Sequence, residues 1–179
     1  MVFTESYKYV LKNITNVLST IELQKVQKTV SLIDIKKQIF VYGAGRSGLI
    51  GKTFAMRLVQ LGLTAYFIGE TITPLVKKDD IVFLISNTGE TKSTLLVATI
   101  CKNIGANVVV ITSSKESSLS SYGDIVFEIN PMNGDTNLAP LGTLFESSVL
   151  VFFDSLITQI MQHLNEDETS MRNRHAIWV

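Results

Sequence analysis

Two short stretches of this chain, far apart in sequence, carry groups that can hold a compact anion. In "GAGRSG", residues 43–48, glycines are followed by a guanidinium, Arg46, and a hydroxyl, Ser47. In "SNTGET", residues 86–91, Ser86, Asn87, Thr88 and Thr91 supply hydroxyl or amide groups around one glycine, Gly89. Helix N-termini present unpaired N–H groups and a partial positive charge, so hydroxyl-rich turns that open helices suit a phosphate dianion. A third group, Glu146 in "GTLFE", is a carboxylate that can take a carbon-bound proton if desolvation brings its pKa toward working pH. The same residues admit a structural reading. Thr143-Leu-Phe-Glu146 also spells T-x-x-E, the capping box of a helix start.

The first stretch has competing readings. A P-loop ending in Gly51, Lys52 and Thr53 needs a glycine where Arg46 stands, so that reading fails on spacing. Gly43, Gly45 and Gly48 do fit G-x-G-x-x-G, the dinucleotide-binding turn, and Glu70 lies near where a ribose-binding acid belongs. Taken alone, "SNTGET" is also an ordinary N-cap. The pair is more informative. A dinucleotide needs only the first turn, whereas two hydroxyl-bearing turns facing one crevice make a site for a single phosphate.

Both turns must then be brought together by the elements around them. Val10, Ile14, Val17, Leu18, Ile21, Val26, Val30 and Ile33 recur at helical spacing and predict one or two amphipathic helices, an arm over residues 1–36. Strands are expected at "QIFVYG" (38–43), "TAYFIG" (64–69), "DIVFLIS" (80–86), "NVVVIT" (107–112) and "DIVFEI" (124–129). Helices are expected at 46–61, with Leu49, Ile50, Phe54, Leu58 and Leu61 inward, at 91–104 and at 143–164. A short helix or turn is expected at 117–123, and a further short helix in the tail, 165–179. Five β-α units predict an α/β fold, a three-layer αβα sandwich on a five-stranded parallel sheet of order 2-1-3-4-5, as one domain over 1–179. In that order strands one and three are neighbours, so both turns face one crevice. Residues 130–142 hold two of the three prolines and read as a long ordered loop of functional type. "KKDD", 77–80, reads as a solvated turn.

Composition narrows the function. Of 179 residues 46% are hydrophobic and 18% charged, apolar enough to expect surface buried between subunits. Zero formal net charge gives no field for nucleic acid or an anionic membrane. The single cysteine, Cys101, excludes an internal disulfide and a multi-cysteine metal site and reads as a small buried hydrophobe. The N-terminus lacks the layout of a signal peptide. "VLVFFDSLITQIM" is expected to be broken by Asp154 and too short to span a bilayer. A cytoplasmic protein without membrane partners is expected.

"GAGRSGLIGKTFAMRL", "FIGETITP", "LISNTGETKS" and "PLGTLFE", in this order, resemble the 6-phospho-3-hexuloisomerases of the sugar isomerase (SIS) domain superfamily, over nearly the whole chain. The resemblance implies an SIS/flavodoxin-like sandwich, a homotetramer, a small-molecule phosphosugar as ligand, no metal and no organic cofactor. It implies an aldose–ketose type isomerisation that interconverts 3-hexulose 6-phosphate and fructose 6-phosphate through an enediolate. It assigns Ser47, Ser86, Thr88, Gly89 and Thr91, with Arg46, to substrate phosphate, and catalysis to Glu146 and to His175 of "RHA", with a reach into a neighbouring subunit's site implied for His175. Gln60 stands where members often carry histidine, "SNT" replaces the commoner "SGS", and the ending "AIWV" replaces "ANL".

Two alternatives remain within the superfamily. Arabinose 5-phosphate isomerases usually carry regulatory modules after the SIS domain, and this chain is expected to lack them. Non-catalytic sugar-phosphate sensors usually carry a helix-turn-helix, but residues 1–36 show no Gly-containing turn between helices and no basic recognition face, so no nucleic-acid partner is expected. Outside the principal motifs, His163 reads as surface or packing, Arg57 as a structural ion pair, and Glu70 as either a substrate contact or a turn cap.

Overall fold

Strands that are apolar on both faces can be buried only in a sheet covered on both sides. In the computed structural model, which describes residues 1–131 and 134–175, this is what they form. β1 (Gln38–Gly43), β2 (Thr64–Phe67), β3 (Ile81–Ile85), β4 (Asn107–Thr112) and β5 (Ile125–Glu128) pair in parallel in the order β2-β1-β3-β4-β5. Every residue of β3 is buried. The expected sandwich and strand order are therefore those observed.

Alternation along β1 divides the core. Ile39 and Val41 pack into one cluster and Phe40 into the other, because successive side chains leave opposite faces of a strand. The larger layer holds α3 (Gly45–Gln60), α5 (Thr143–His163) and the arm helices α1 (Val2–Leu18) and α2 (Leu23–Leu32). Its centre is aromatic. Phe54 and Phe153 stack with centroids 4.0 Å apart, and Phe83 meets Phe54 edge-on from the sheet at 5.0 Å. The opposite layer is thinner: α4 (Lys92–Ile104), which ends at Gly105 with φ 86°, and the 3₁₀ segment Leu119–Tyr122. Cys101 is buried in this layer, as expected. A last short helix, α6 (Glu168–Asn173), opens with Asp167 accepting the Ser170 N–H.

Several expectations are corrected. Between β2 and β3 residues 68–80 form no helix; Pro74 interrupts this stretch, and Ile68 and Val76 cover the second core without one. The "KKDD" turn is not wholly solvated. Asp80 is buried and its carboxylate accepts the Lys77 N–H at 2.7 Å, so it anchors the entry to β3. Asp154 does not break the last helix, because it sits on the solvent side and faces Arg57 at 3.7 Å. At 21 residues α5 is long and apolar enough to cross a membrane, but half of that stretch is buried inside the protein, where it serves as a core helix. Leu49 points outward from α3, while Phe54, Leu58 and Leu61 are buried as predicted.

The arm also secures the long loop. Ser6 Oγ on α1 donates to the Leu138 carbonyl at 2.6 Å, and the Tyr9 hydroxyl accepts the Asp135 N–H at 2.7 Å. Met132 and Asn133 of that loop lie outside the described residues.

The β1–α3 turn requires two glycines for different reasons. A Cβ at Gly48 would collide with the Gly43 carbonyl, whereas Gly45 has open space around it but a φ of 56°. Gly48→Ala is expected to cost more than about 2 kcal/mol of stability, since backbone must move, and Gly45→Ala roughly 1–2 kcal/mol, the left-handed penalty alone. Urea unfolding of both variants measures the difference; equal costs would contradict the close approach at Gly48.

Candidate functional site

Because β1 and β3 are neighbours, with Gly43 in register with Ile85, the turns that follow them leave the same edge of the sheet side by side. That edge is the carboxyl end of the strands, where ligands bind in open α/β sheets. The N-termini of α3 and α4 both open onto it. Ser47, in the first turn of α3, is 8% exposed, and its hydroxyl forms no hydrogen bond among the described residues.

The "SNTGET" turn is held on every side. Ser86 Oγ accepts the Gly89 N–H at 3.1 Å and lies 3.0 Å from Thr91 Oγ1. Thr88 Oγ1 accepts the Glu90 N–H at 3.2 Å. The Asn87 carbonyl receives three donors from the end of β4: the Ser113 N–H, the Ser113 hydroxyl and the Thr112 hydroxyl. The Gly89 carbonyl accepts the Leu119 N–H, and Glu90 accepts the Ser118 N–H at 2.7 Å. Gly89 has φ 69°, and a Cβ there would strike the Ser117 side chain. Thr91 begins α4 without making a side-chain cap, so the ordinary N-cap reading does not describe it.

Glu146 likewise is not part of a capping box. The residue before α5 is Gly142, with φ 77°, and the Thr143 hydroxyl donates back to the Pro140 carbonyl. The Glu146 side chain turns toward α3, where Arg46 Nη2 lies 2.7 Å from its Oε2. It is 13% exposed, against 53% for Arg46. Burial raises the Glu146 carboxyl above the ordinary glutamate range, and the Arg46 charge opposes that rise. Arg46 Nη1 also donates at 2.7 Å to the Leu141 carbonyl.

Beside this group opens a cavity of about 310 Å³, walled by Asn87, Ser113, Asn130, Thr136, Leu141 and Gly142 among others. It joins the second turn to the 130–142 loop and to the start of α5. Sequence reasoning did not single out Ser113 or Leu141. A signal for Ser113 was present, since it follows β4, the strand next to β3, at the same edge.

His175 is elsewhere. With Arg57, Gln60, Met161 and Arg172 it lines a separate cavity of about 540 Å³ near the ends of α3 and α5. Gln60 follows Arg46 by fourteen positions along α3, roughly 21 Å at 1.5 Å per residue. One chain therefore does not bring His175 to Glu146. Trp178 and the "AIWV" ending lie outside the described residues. Glu70 neither caps a turn with its side chain nor stands free: it pairs with Lys52 at 2.6 Å. Arg57 has the structural ion partner expected of it, Asp154. Burial pushes the Cys101 thiol up to about 11, which removes it as a nucleophile. Among the described residues no cluster of His, Cys, Asp and Glu could hold a metal ion.

Comparison with known proteins adds an independent line. The SIS domain model matches residues 31–155. A 3-hexulose-6-phosphate isomerase of Methanocaldococcus jannaschii is 44% identical over 149 residues, covering 82% of this chain and 81% of that one. A 3-hexulose-6-phosphate isomerase of Bacillus subtilis is 34% identical over 179 residues, 97% of each chain. Among solved structures, that of a Methanococcus jannaschii protein, from which a molecular function of 3-hexulose-6-phosphate isomerase was inferred, matches with a TM-score of 0.89. It is 37% identical and covers 98% of this chain and 99% of that one.

The two serines are expected to separate in a stability measurement. Ser86→Ala leaves a buried Gly89 N–H without its acceptor and should cost about 1–3 kcal/mol. Ser47→Ala removes a hydroxyl with no internal partner and should stay within about 0.5 kcal/mol of the parent. Urea denaturation tests both; an equally damaging Ser47→Ala would assign that hydroxyl a structural role.

Proposed function

We propose, from the premise that this chain belongs to the SIS domain family and is closely related to the 3-hexulose-6-phosphate isomerases, that it interconverts 3-hexulose 6-phosphate and fructose 6-phosphate. The chain is a phosphosugar isomerase. The observation that carries the finer reading is Glu146: a mostly buried carboxyl raised by desolvation, 2.7 Å from Arg46 of the first turn and against Gly142, which walls the cavity.

The substrate phosphate sits against the N-termini of α3 and α4. Ser47, Ser86, Thr88 and Thr91 supply hydroxyl donors there, Gly89 shapes the second turn through its left-handed backbone, and the charge of Arg46 lies nearby. The sugar extends into the cavity walled by Asn87, Ser113, Asn130 and Thr136. Glu146 takes the proton from C2 of the 3-ketose. The electron pair moves toward C3, and the C3 carbonyl oxygen takes the negative charge of an enediolate. Glu146 then returns the proton to C3, the hydroxyl proton passes between the two oxygens, and the carbonyl is left on C2. A carboxylate of raised pKa suits both halves of this cycle, because it holds the proton long enough to give it back.

The working unit in this reading is a homotetramer. Phe3 and Leu11 on α1, and Leu49, Met56 and Val59 on α3, are apolar and exposed on one chain. His175, distant from Glu146 in its own chain, would serve a neighbouring copy.

Two measurements test this reading. Glu146→Gln keeps shape and removes the base, so isomerisation is expected to fall by about 10²–10⁴ while phosphosugar binding persists. Its stability should not fall at neutral pH. A carboxyl raised in the folded state makes its charged form a cost above that pKa, so the glutamine variant gains there, and the gain fades as pH drops through the folded value. Full activity in this variant would remove Glu146 from the mechanism. For the assembly, light scattering on the 19.8 kDa chain should report four copies, and a monomer would overturn the tetramer.

A further inference from the structure

Arg46 stands beside Ser47 at the start of α3, where sequence pattern suits a phosphate contact. Its guanidinium is engaged differently. Nη2 lies 2.7 Å from Glu146 Oε2, and Nη1 donates at 2.7 Å to the Leu141 carbonyl. The bond to Leu141 fixes the direction of the planar guanidinium, and the contact with Glu146 is an ion pair, since Oε2 has no aligned hydrogen-bond donor among the described residues. The carbonyl it holds belongs to an unusual corner. Leu141 has φ 42° and Gly142 φ 77°, so two successive residues enter the left-handed region just before α5. Leucine rarely adopts that conformation, and the Leu141 side chain, 87% exposed, contributes no packing to hold it. Leu141 and Gly142 also wall the cavity beside Glu146. One side chain therefore touches the base and the cavity wall together.

We propose that Arg46 is a positioning residue for the base: its guanidinium joins the Glu146 carboxylate to the Leu141 carbonyl and so fixes the carboxylate against the corner that closes the sugar cavity. The chemical consequence rests on the isomerase reading; the linkage itself does not. Arg46 is the charged group that faces Glu146, since Glu146 makes no second ion pair among the described residues. Among the described residues the other elements packed against α5 or the loop bring none, Lys8 and Lys12 on α1 and Lys28 on α2 being exposed. On α1, Ser6 and Tyr9 reach the loop through hydroxyls, and Glu5 lies 3.9 Å from the N-terminal amine. Beside α2, Glu22 and Lys25 pair with each other. Within the loop, Asp135 accepts its own neighbour's N–H, that of Asn137. Removing the guanidinium thus leaves burial unopposed at Glu146.

The test uses the full chain with Arg46→Gln and Arg46→Lys. Arg46 is more than half exposed, so neither substitution buries an orphan. Carbon-13 titration follows the Glu146 carboxyl, identified by its loss in Glu146→Gln. The midpoint is expected to rise by about half a pH unit or more in Arg46→Gln and to recover partway in Arg46→Lys. The acid limb of the kcat/KM profile should move to higher pH by the same amount, with inhibition by inorganic phosphate changed by less than about threefold. The midpoint decides. If it stays or falls, the inference is overturned, and a loss of phosphate inhibition of about tenfold or more in that case makes Arg46 a phosphate ligand only. The titration needs no turnover, so failure of the isomerase reading shows separately, as wild-type protein that forms no fructose 6-phosphate.

Discussion

The parallel pairing of β1 with β3 is the constraint on which the rest of this structure depends. Each strand is followed by a tight turn and a helix, and the pairing places Gly43 opposite Ile85, at the last residue of both. Two loops separated by about forty residues of sequence then share one rim. Two helix N-termini face the same space, which concentrates N–H donors and partial positive charge where a dianion can use them. The pairing is enforced by burial. Neither strand can expose a face without leaving Ile, Val, Phe and Leu side chains in water.

The sheet alone does not make a site. The second turn keeps its shape because it is tied laterally to β4 and to the 3₁₀ segment, through the Asn87 carbonyl, the Gly89 carbonyl and the Glu90 carboxylate. The third wall comes from the loop before α5, which the N-terminal arm holds through Ser6 and Tyr9. The arm is thus an internal brace for that loop. The loop's exit into α5 is what removes Glu146 from solvent, and Arg46 answers that desolvation from the facing helix. The buried carboxylate, the two turns and the cavity depend on one another through these few contacts.

Much of this was legible in the residues. Period-two and period-3.6 patterns located the elements, and glycine spacing located the first turn. The chemistry of Ser, Thr and Asn marked the second. What misled was local pattern taken without its surroundings. T-x-x-E at residues 143–146 left a capping box open as one of two readings, yet the left-handed Gly142 sets the helix start and frees Glu146 to face α3. Asp154 looked like a break in an apolar helix, yet a single carboxylate on the solvent side costs a helix little. "KKDD" looked like a solvated turn, yet its last residue is buried because backbone N–H groups satisfy it.

The sequence by itself determined the layered α/β fold, the strand order and the identity of the two turns, because these follow from short-range periodicity and from turn chemistry. Only the tertiary structure decided what each charged side chain does. Arg46 meets Glu146 and Leu141, Glu70 meets Lys52, and His175 lies with Gln60 at the far ends of two helices. Ionisation and ion pairing depend on distance and desolvation in three dimensions, and neither can be read from spacing along a chain.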